Sequence, residues 1–113
     1  MISKEILGVL EDIAAILHTG STAMPSGAYY VYGKDVQEQL VLVRARQETP
    51  TVAILQAEIA SRGGTRATLQ LLNPTIRRIE RPGDNWIRIF GAEGTFLISP
   101  QLGAHISHGP QGL

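Results

Sequence analysis

The sequence contains no cysteine, so disulfide bonds, thiolate catalysis and cysteine-based metal sites are all excluded. It also lacks an excess of charge of either sign, because 10 basic and 10 acidic side chains give a formal net charge of zero at pH 7. That balance argues against a protein whose main task is to coat nucleic acid or an anionic membrane.

Long hydrophobic runs are missing as well. None reaches the roughly 18 residues that a membrane-spanning helix requires, and Glu5, Glu11 and Asp12 interrupt the apolar N-terminal stretch. Acidic residues in such a stretch are not typical of a signal peptide. We therefore expect a cytoplasmic protein with no membrane partner.

Aromatic residues account for only 5% of the 113 residues, which predicts a modest core. The 43% hydrophobic and 18% charged content is typical of a globular protein, and the length fits one domain over residues 1–113. The last residues are rich in glycine and lack periodicity, so we expect a mobile C-terminal tail from about residue 101.

The charges are distributed unevenly along the chain. Residues 1–60 carry four basic and seven acidic side chains, whereas residues 61–113 carry six basic and three acidic ones. All six basic residues of the second half are arginines, whose guanidinium groups bind carboxylate and phosphate with two hydrogen bonds and stack on aromatic rings. A genome rich in arginine codons produces the same bias, so the bias alone assigns no function.

The spacing of apolar residues predicts an N-terminal helix over residues 4–18. Ser3 is a favourable N-cap, and Gly20 can end the helix. An apolar stripe follows the helical period through Ile6, Leu10, Ile13 and Leu17. The stripe needs a partner, which is either the sheet of the same domain or a second copy of the helix, and its surplus width favours a homodimer.

Most of the remaining chain predicts short strands. Residues 19–28 are turn formers and predict a loop, and strands are expected over Tyr29–Tyr32, Gln39–Arg46 and Thr65–Leu72. Residues 51–61 fit either a helix with proline in its first turn or a strand with alternating apolar positions. The glycine turn that follows favours the strand.

The segment Thr75–Ser99 holds the only tryptophan and four of the eight arginines. Two turn signals, Arg81–Asn85 and Gly91–Gly94, divide it into three strands. If each loop pairs the residues that flank it, Arg81 lies opposite Trp86, Ile79 opposite Arg88, and Arg77 opposite Phe90. The second hairpin then pairs Phe90 with Thr95, Ile89 with Phe96, Arg88 with Leu97, and Ile87 with Ile98.

Alternation of side chains sorts this segment onto two faces. One face is almost wholly aliphatic and is the predicted core; it collects Ile76, Ile87, Ile89, Phe96 and Ile98, with Arg78 and Glu80 on its far strand. The opposite face also carries Ile79, Thr95, Leu97 and Ser99. Its arginines and aromatic residues are the candidate binding residues Arg77, Arg81, Trp86, Arg88 and Phe90. Two alternatives stay open: a short helix over Pro74–Arg81 would remove the first pairing, and the N-terminal helix would cover Trp86 if it packed on this face.

These elements predict an α+β fold, with the N-terminal helix packed on an antiparallel sheet of about five or six strands. A small β-barrel with a leading helix is the structural alternative, because successive short strands can also close. No nucleophile, base and oxyanion donor come together in the sequence, so we assign no catalytic residue, no metal ligand and no cofactor.

The leading functional hypothesis is a non-enzymatic binding or assembly module. It would contact a protein partner or a second copy of itself through the arginine and aromatic face or the N-terminal helix. The alternative is a nucleic-acid or small-anion binding module that uses the same arginines. The partner and the biological process do not follow from the sequence.

Overall fold

The computed structural model describes residues 2–81 and 85–109, and within these ranges the chain forms one α-helix packed against two antiparallel sheets. This architecture confirms the predicted α+β class. Helix α1 spans Lys4–Ile16, and the 3-10 turn Asn73–Thr75 connects the two sheets. The strands are β1 Ser21–Ala23, β2 Tyr29–Lys34, β3 Leu40–Gln47, β4 Ala53–Ala60, β5 Arg66–Leu72, β6 Ile76–Glu80, β7 Ile87–Gly91, β8 Gly94–Ser99 and β9 Gly103–His108.

Both sheets follow the order of the chain. Strands β1 to β5 form a five-stranded sheet, and β6 to β9 form a four-stranded sheet. The described strands therefore outnumber the five or six that were predicted, and the barrel alternative is wrong because they close no barrel. No helix in the described ranges has the length and apolar character needed to cross a membrane.

Helix α1 begins where the sequence predicts, because the Ser3 side chain accepts a hydrogen bond from the Ile6 backbone N–H at 3.3 Å. Its apolar stripe is buried in a core that both sheets share, and Ile6, Val9, Leu10 and Ile13 are at most 2% exposed. The partner of the stripe is therefore the chain's own domain. This burial removes the reason for expecting a homodimer through α1.

Residues 51–61 adopt the strand that the sequence favoured over a helix. Strand β4 pairs with β3 along its whole length and with β5 beyond the glycine turn. Alternation then places small and branched side chains on the inner face, as in the cross-strand row Val31, Val43, Ala57 and Leu69. Each of these four side chains is at most 4% exposed.

The second hairpin has the predicted register. Residue Ile87 pairs with Ile98, Arg88 with Leu97, Ile89 with Phe96, and Phe90 with Thr95. The predominantly aliphatic face of this hairpin therefore faces the core. Its side chains are at most 2% exposed; they are Ile87, Ile89, Phe96 and Ile98.

Two segments predicted to lack regular structure are strands. β1 lies within the predicted loop 19–28; it is exposed and held by its pairing with Tyr29–Val31, so its side chains carry no periodic signal. β9, over Gly103–His108, lies within the segment from about residue 101 that the sequence predicts to be a mobile tail. Residues 110–113 of that tail, and residues 82–84 of the predicted turn Arg81–Asn85, lie outside the described residues.

Hydrogen bonds to Asp35 anchor the start of β9. Its buried carboxylate accepts hydrogen bonds from the backbone N–H groups of Gln37, Gln39 and Ala104 and from the Gln39 side-chain amide, at 2.8–3.0 Å. Gly103 has a φ of +78°, and an added Cβ would lie 2.6 Å from Asp35 Oδ2. Since Asp35 and Ala104 are 69 positions apart, no local pattern reveals this strand.

The same hydrogen bonds keep Asp35 charged. Burial by itself raises the pKa of the carboxyl group, but the hydrogen bonds from Ala104, Gln39 and Gln37 outweigh burial and lower the pKa below its usual value. The charged carboxylate thus fastens the β2–β3 turn to the start of β9.

Candidate functional site

The first hairpin of the arginine-rich segment pairs one residue away from the predicted register. Residue Glu80 lies opposite Arg88, Ile79 opposite Ile89, and Arg78 opposite Phe90. Because side chains alternate, this single step moves Arg78, Ile79 and Glu80 to the faces opposite those predicted. The prediction is therefore wrong for these residues: Ile79 packs on the core, and Arg78 and Glu80 share the face of Arg88 and Phe90. Ile76, which precedes the register shift, packs on the core as predicted.

The position of Arg77 follows from an irregularity in β6. The register shifts between Ile76 and Arg78, which leaves Arg77 as the extra residue of a β-bulge. Its side chain is exposed and makes no ion pair or cation–π contact with any described residue. Arg77 therefore does not join the other predicted binding residues.

A continuous stack of guanidinium groups and rings forms on the outer face of the four-stranded sheet. The Arg88 guanidinium carbon lies 4.6 Å from the centre of the Trp86 ring and 5.7 Å from that of Phe90. The guanidinium of Arg78 covers Phe90 at 4.1 Å. These are cation–π distances, so the arginines and aromatic rings hold one another in place.

Glu80 ties the two arginines of this stack together. Its Oε2 lies 3.0 Å from Arg78 Nε, and its Oε1 lies 3.4 Å from Arg88 Nη1. The three side chains are between 33% and 49% exposed, so water and salt weaken the pairs. We refer to Arg78, Glu80, Trp86, Arg88 and Phe90 as the Arg/aromatic surface.

The Arg/aromatic surface adjoins a cleft of about 520 Å³ beside α1, which we call the helix cleft. Its apolar wall is formed by Trp86 and by Ala15, Ile16, Ile87 and Pro100. Its polar lining consists of His18, Asn85 and an ion pair between Arg81 Nη2 and Asp12 Oδ2, whose side chains are about two-fifths exposed. Trp86 thus belongs to both the surface and the cleft.

The five predicted binding residues therefore lie in three different environments. Trp86, Arg88 and Phe90 come together in the stack, Arg81 joins Trp86 through the helix cleft, and Arg77 stands apart. Trp86 lies on the same face as Arg88, and residues of α1 line the helix cleft beside it. The 3-10 turn Asn73–Thr75 is followed by β6, so the alternative helix over Pro74–Arg81 does not form.

Sequence reasoning missed several members of the site. A first hairpin shifted by one residue places Arg78 and Glu80 on the face of Arg88, and a search for a second polar parity in β6 would have found them. Asp12, His18 and Asn85 reach the helix cleft through tertiary packing. Nothing in the spacing of α1 distinguishes Asp12 from an ordinary solvated acid.

The described lining of the helix cleft contains no serine, threonine or lysine side chain, and its Asp12 is paired with Arg81. His105 and His108 lie on β9, where positions three apart point to opposite faces. Within residues 2–81 and 85–109, no cluster of three or more histidine or acidic side chains would hold a metal ion.

Comparison of this chain with protein-family models, with curated proteins and with solved structures found no match in any of the three.

Proposed function

We propose that this protein is a non-enzymatic binding or assembly module whose Arg/aromatic surface contacts a protein partner. The observation that carries the proposal is the stack in which Arg88 lies between Trp86 and Phe90 while Arg78 covers Phe90. Tryptophan and arginine are enriched among the residues that dominate protein interfaces. A partner would find them already ordered, which lowers the entropy cost of binding.

The same contacts favour a protein partner over nucleic acid. Base stacking needs an open ring face, but Phe90 is only 7% exposed because guanidinium groups cover it. Glu80 also offsets part of the charge of Arg78 and Arg88, so the surface offers a phosphate chain little net attraction. Arg81, the arginine of the helix cleft, is paired with Asp12 in the same way.

The proposed protein partner includes a second copy of this chain. Such a copy would bind through the Arg/aromatic surface and not through α1, because the apolar stripe of α1 is buried. The proposal also includes a cytoplasmic location, so the partner is to be sought among cytoplasmic proteins.

The experiment compares proteins captured from lysate by the tagged full-length chain and by two double variants. Arg78→Ala with Arg88→Ala removes the cations of the stack. Arg62→Ala with Arg66→Ala is the matched control, since both arginines are exposed and lie outside the Arg/aromatic surface and the helix cleft. Circular dichroism and thermal unfolding verify that all three proteins are folded, and sedimentation velocity measures self-association.

We expect a defined polypeptide, or a second copy, to bind the wild type and the control. The purified pair should bind the stack variant at least about tenfold more weakly, in keeping with the loss of an interface anchor. Equal binding to both double variants would contradict the proposal. Binding that disappears after nuclease treatment, and that weakens steeply with salt, would establish the nucleic-acid alternative instead.

A further inference from the structure

The helix cleft is lined by an aromatic side chain that is itself held in place. The Arg88 guanidinium packs on the Trp86 ring at 4.6 Å, and Trp86 lines the cleft. The lining also includes the aliphatic side chain of Ile16 on α1. A volume of about 520 Å³ falls within the range of pockets that bind compact organic groups.

Two polar residues that line the cleft have left-handed backbone conformations. His18, with a φ of 55°, directly follows the C-cap of α1, where the His18 N–H donates to the Ala15 carbonyl oxygen and the Thr19 N–H to that of Ala14 in a Schellman motif. Asn85, with a φ of 59°, belongs to a residue type that adopts this conformation more readily than most. The end of α1 and the residue before Trp86 thus contribute an imidazole and an amide to the lining.

From this arrangement we infer that the helix cleft receives an aromatic side chain with a polar edge, a tryptophan or a tyrosine, from the protein partner. The inference rests on the proposed function, since it assigns the anchor residue of that partner. A planar ring stacks in an offset manner on Trp86 and contacts Ile16 on its other side. The Asp12 carboxylate and the Asn85 amide oxygen at the cleft accept a hydrogen bond from an indole N–H or a phenol O–H.

The polar lining argues against two other occupants. A free anion would have to compete with Asp12 for Arg81 and would approach the Asp12 charge. An aliphatic side chain would leave the polar groups of the cleft without a new hydrogen-bond partner and would not stack on Trp86.

The test uses the full chain labelled with ¹⁵N and follows the indole N–H signal of Trp86, which is the only tryptophan and therefore gives one such signal. The probe is unlabelled N-acetyl-L-tryptophanamide, and N-acetyl-L-leucinamide is the aliphatic control. We expect a saturable shift with a dissociation constant on the order of 1 mM for the aromatic probe. The leucine probe should bind at least about tenfold more weakly.

Two matched variants test whether the aromatic probe binds in the helix cleft. Ala15→Phe fills the cleft from an exposed position of α1, and Ala23→Phe makes the same change at an exposed position of β1 outside the cleft. Ala15→Phe should weaken the aromatic probe at least about tenfold, whereas Ala23→Phe should not. An unmoved Trp86 signal, an equal response to both probes, or an unchanged affinity in Ala15→Phe would overturn the inference.

The two proposals fail in different ways. If the probe does not bind but partner capture still depends on Arg78 and Arg88, the inference about the cleft fails alone. If capture is unaffected by the stack variant while the Trp86 signal still responds, the proposed function fails.

Discussion

At the scale of single residues, Asp35 shows how a charge stabilises the fold from a buried position. It is 8% exposed, and its four hydrogen bonds come from a nearby turn and from a strand far along the chain. Such bonds to a charged acceptor contribute more than neutral ones, because the low local dielectric strengthens them. Sequence alone presents Asp35 as one polar residue in a turn, since its partner Ala104 is remote.

Replacing Asp35 by asparagine should therefore destabilise the protein by about 2–3 kcal/mol, because one of the two oxygens that accept hydrogen bonds becomes an amide donor. Urea unfolding followed by circular dichroism measures this loss. Glu11→Gln is the control at an exposed acid of α1, with an expected change within about 0.5 kcal/mol. Equal losses in the two variants would contradict the role given to Asp35.

The lowered pKa of Asp35 also fixes the direction of a pH effect. A carboxyl group whose pKa is lower in the folded state stabilises the fold fully above its unfolded value, near 3.8, and this stabilisation is lost as the pH falls through the lower folded value. The wild type should therefore lose stability below about pH 4. Asp35→Asn should lose less over the same interval when unfolding is measured at several pH values.

At the scale of elements, the sequence predicts the strand register of the β7–β8 hairpin but not that of the β6–β7 hairpin. The β7–β8 register follows from the loop Gly91–Gly94 and the aliphatic alternation on both sides of it. β6 combines Ile76 and Ile79 with Arg77, Arg78 and Glu80, so neither of its two alternating sets of side chains is wholly apolar, and the sequence does not reveal a one-residue shift in register. The sequence consequently places Arg88 and Phe90 on the face where they lie, but places Arg78 and Glu80 on the opposite one.

The β8 end of this hairpin depends on a glycine at position 94. An added Cβ there would lie 2.3 Å from the backbone oxygen of Ser107 on β9 and 2.8 Å from Leu69 Cδ1 on β5. Backbone cannot move aside as a side chain does, so Gly94→Ala should destabilise the protein by about 2–3 kcal/mol. Thermal unfolding provides the measurement. Gly20→Ala, whose Cβ would meet nothing within 4 Å, is the control and should be near neutral; a similar melting temperature for the two variants would refute this account.

At the scale of the whole molecule, the acidic first half and the basic second half of the sequence are joined by an ion pair. Asp12 from the acidic half pairs with Arg81 from the basic half, and the pair links α1 to the four-stranded sheet beside the helix cleft. Sequence predicted α1, the α+β class and much of the strand content. It did not predict which acid meets which arginine, because that choice depends on how the helix packs across both sheets.

A double-mutant cycle of Asp12→Ala and Arg81→Ala should give a coupling energy of about 0.2–1 kcal/mol, since both side chains are about two-fifths exposed to water. Raising the salt concentration to about 1 M should reduce the coupling, because the screening length falls to about 3 Å. Urea unfolding of the four proteins measures both quantities. A coupling that salt leaves unchanged would show that the residues interact by packing and not by charge.

The chain-ordered sheets have a consequence for how the molecule assembles. Each of the seven strand pairings in the described ranges joins strands that are consecutive in the chain, so every ladder forms by closing only a local loop. Loop-closure entropy is therefore small for hydrogen bonding within either sheet. The contacts that join distant parts of the chain are those between the buried stripe of α1 and the inner faces of the two sheets. We therefore expect the packing of these three surfaces, rather than strand pairing, to limit the rate of folding, and the same packing brings α1 beside Trp86 to form the helix cleft.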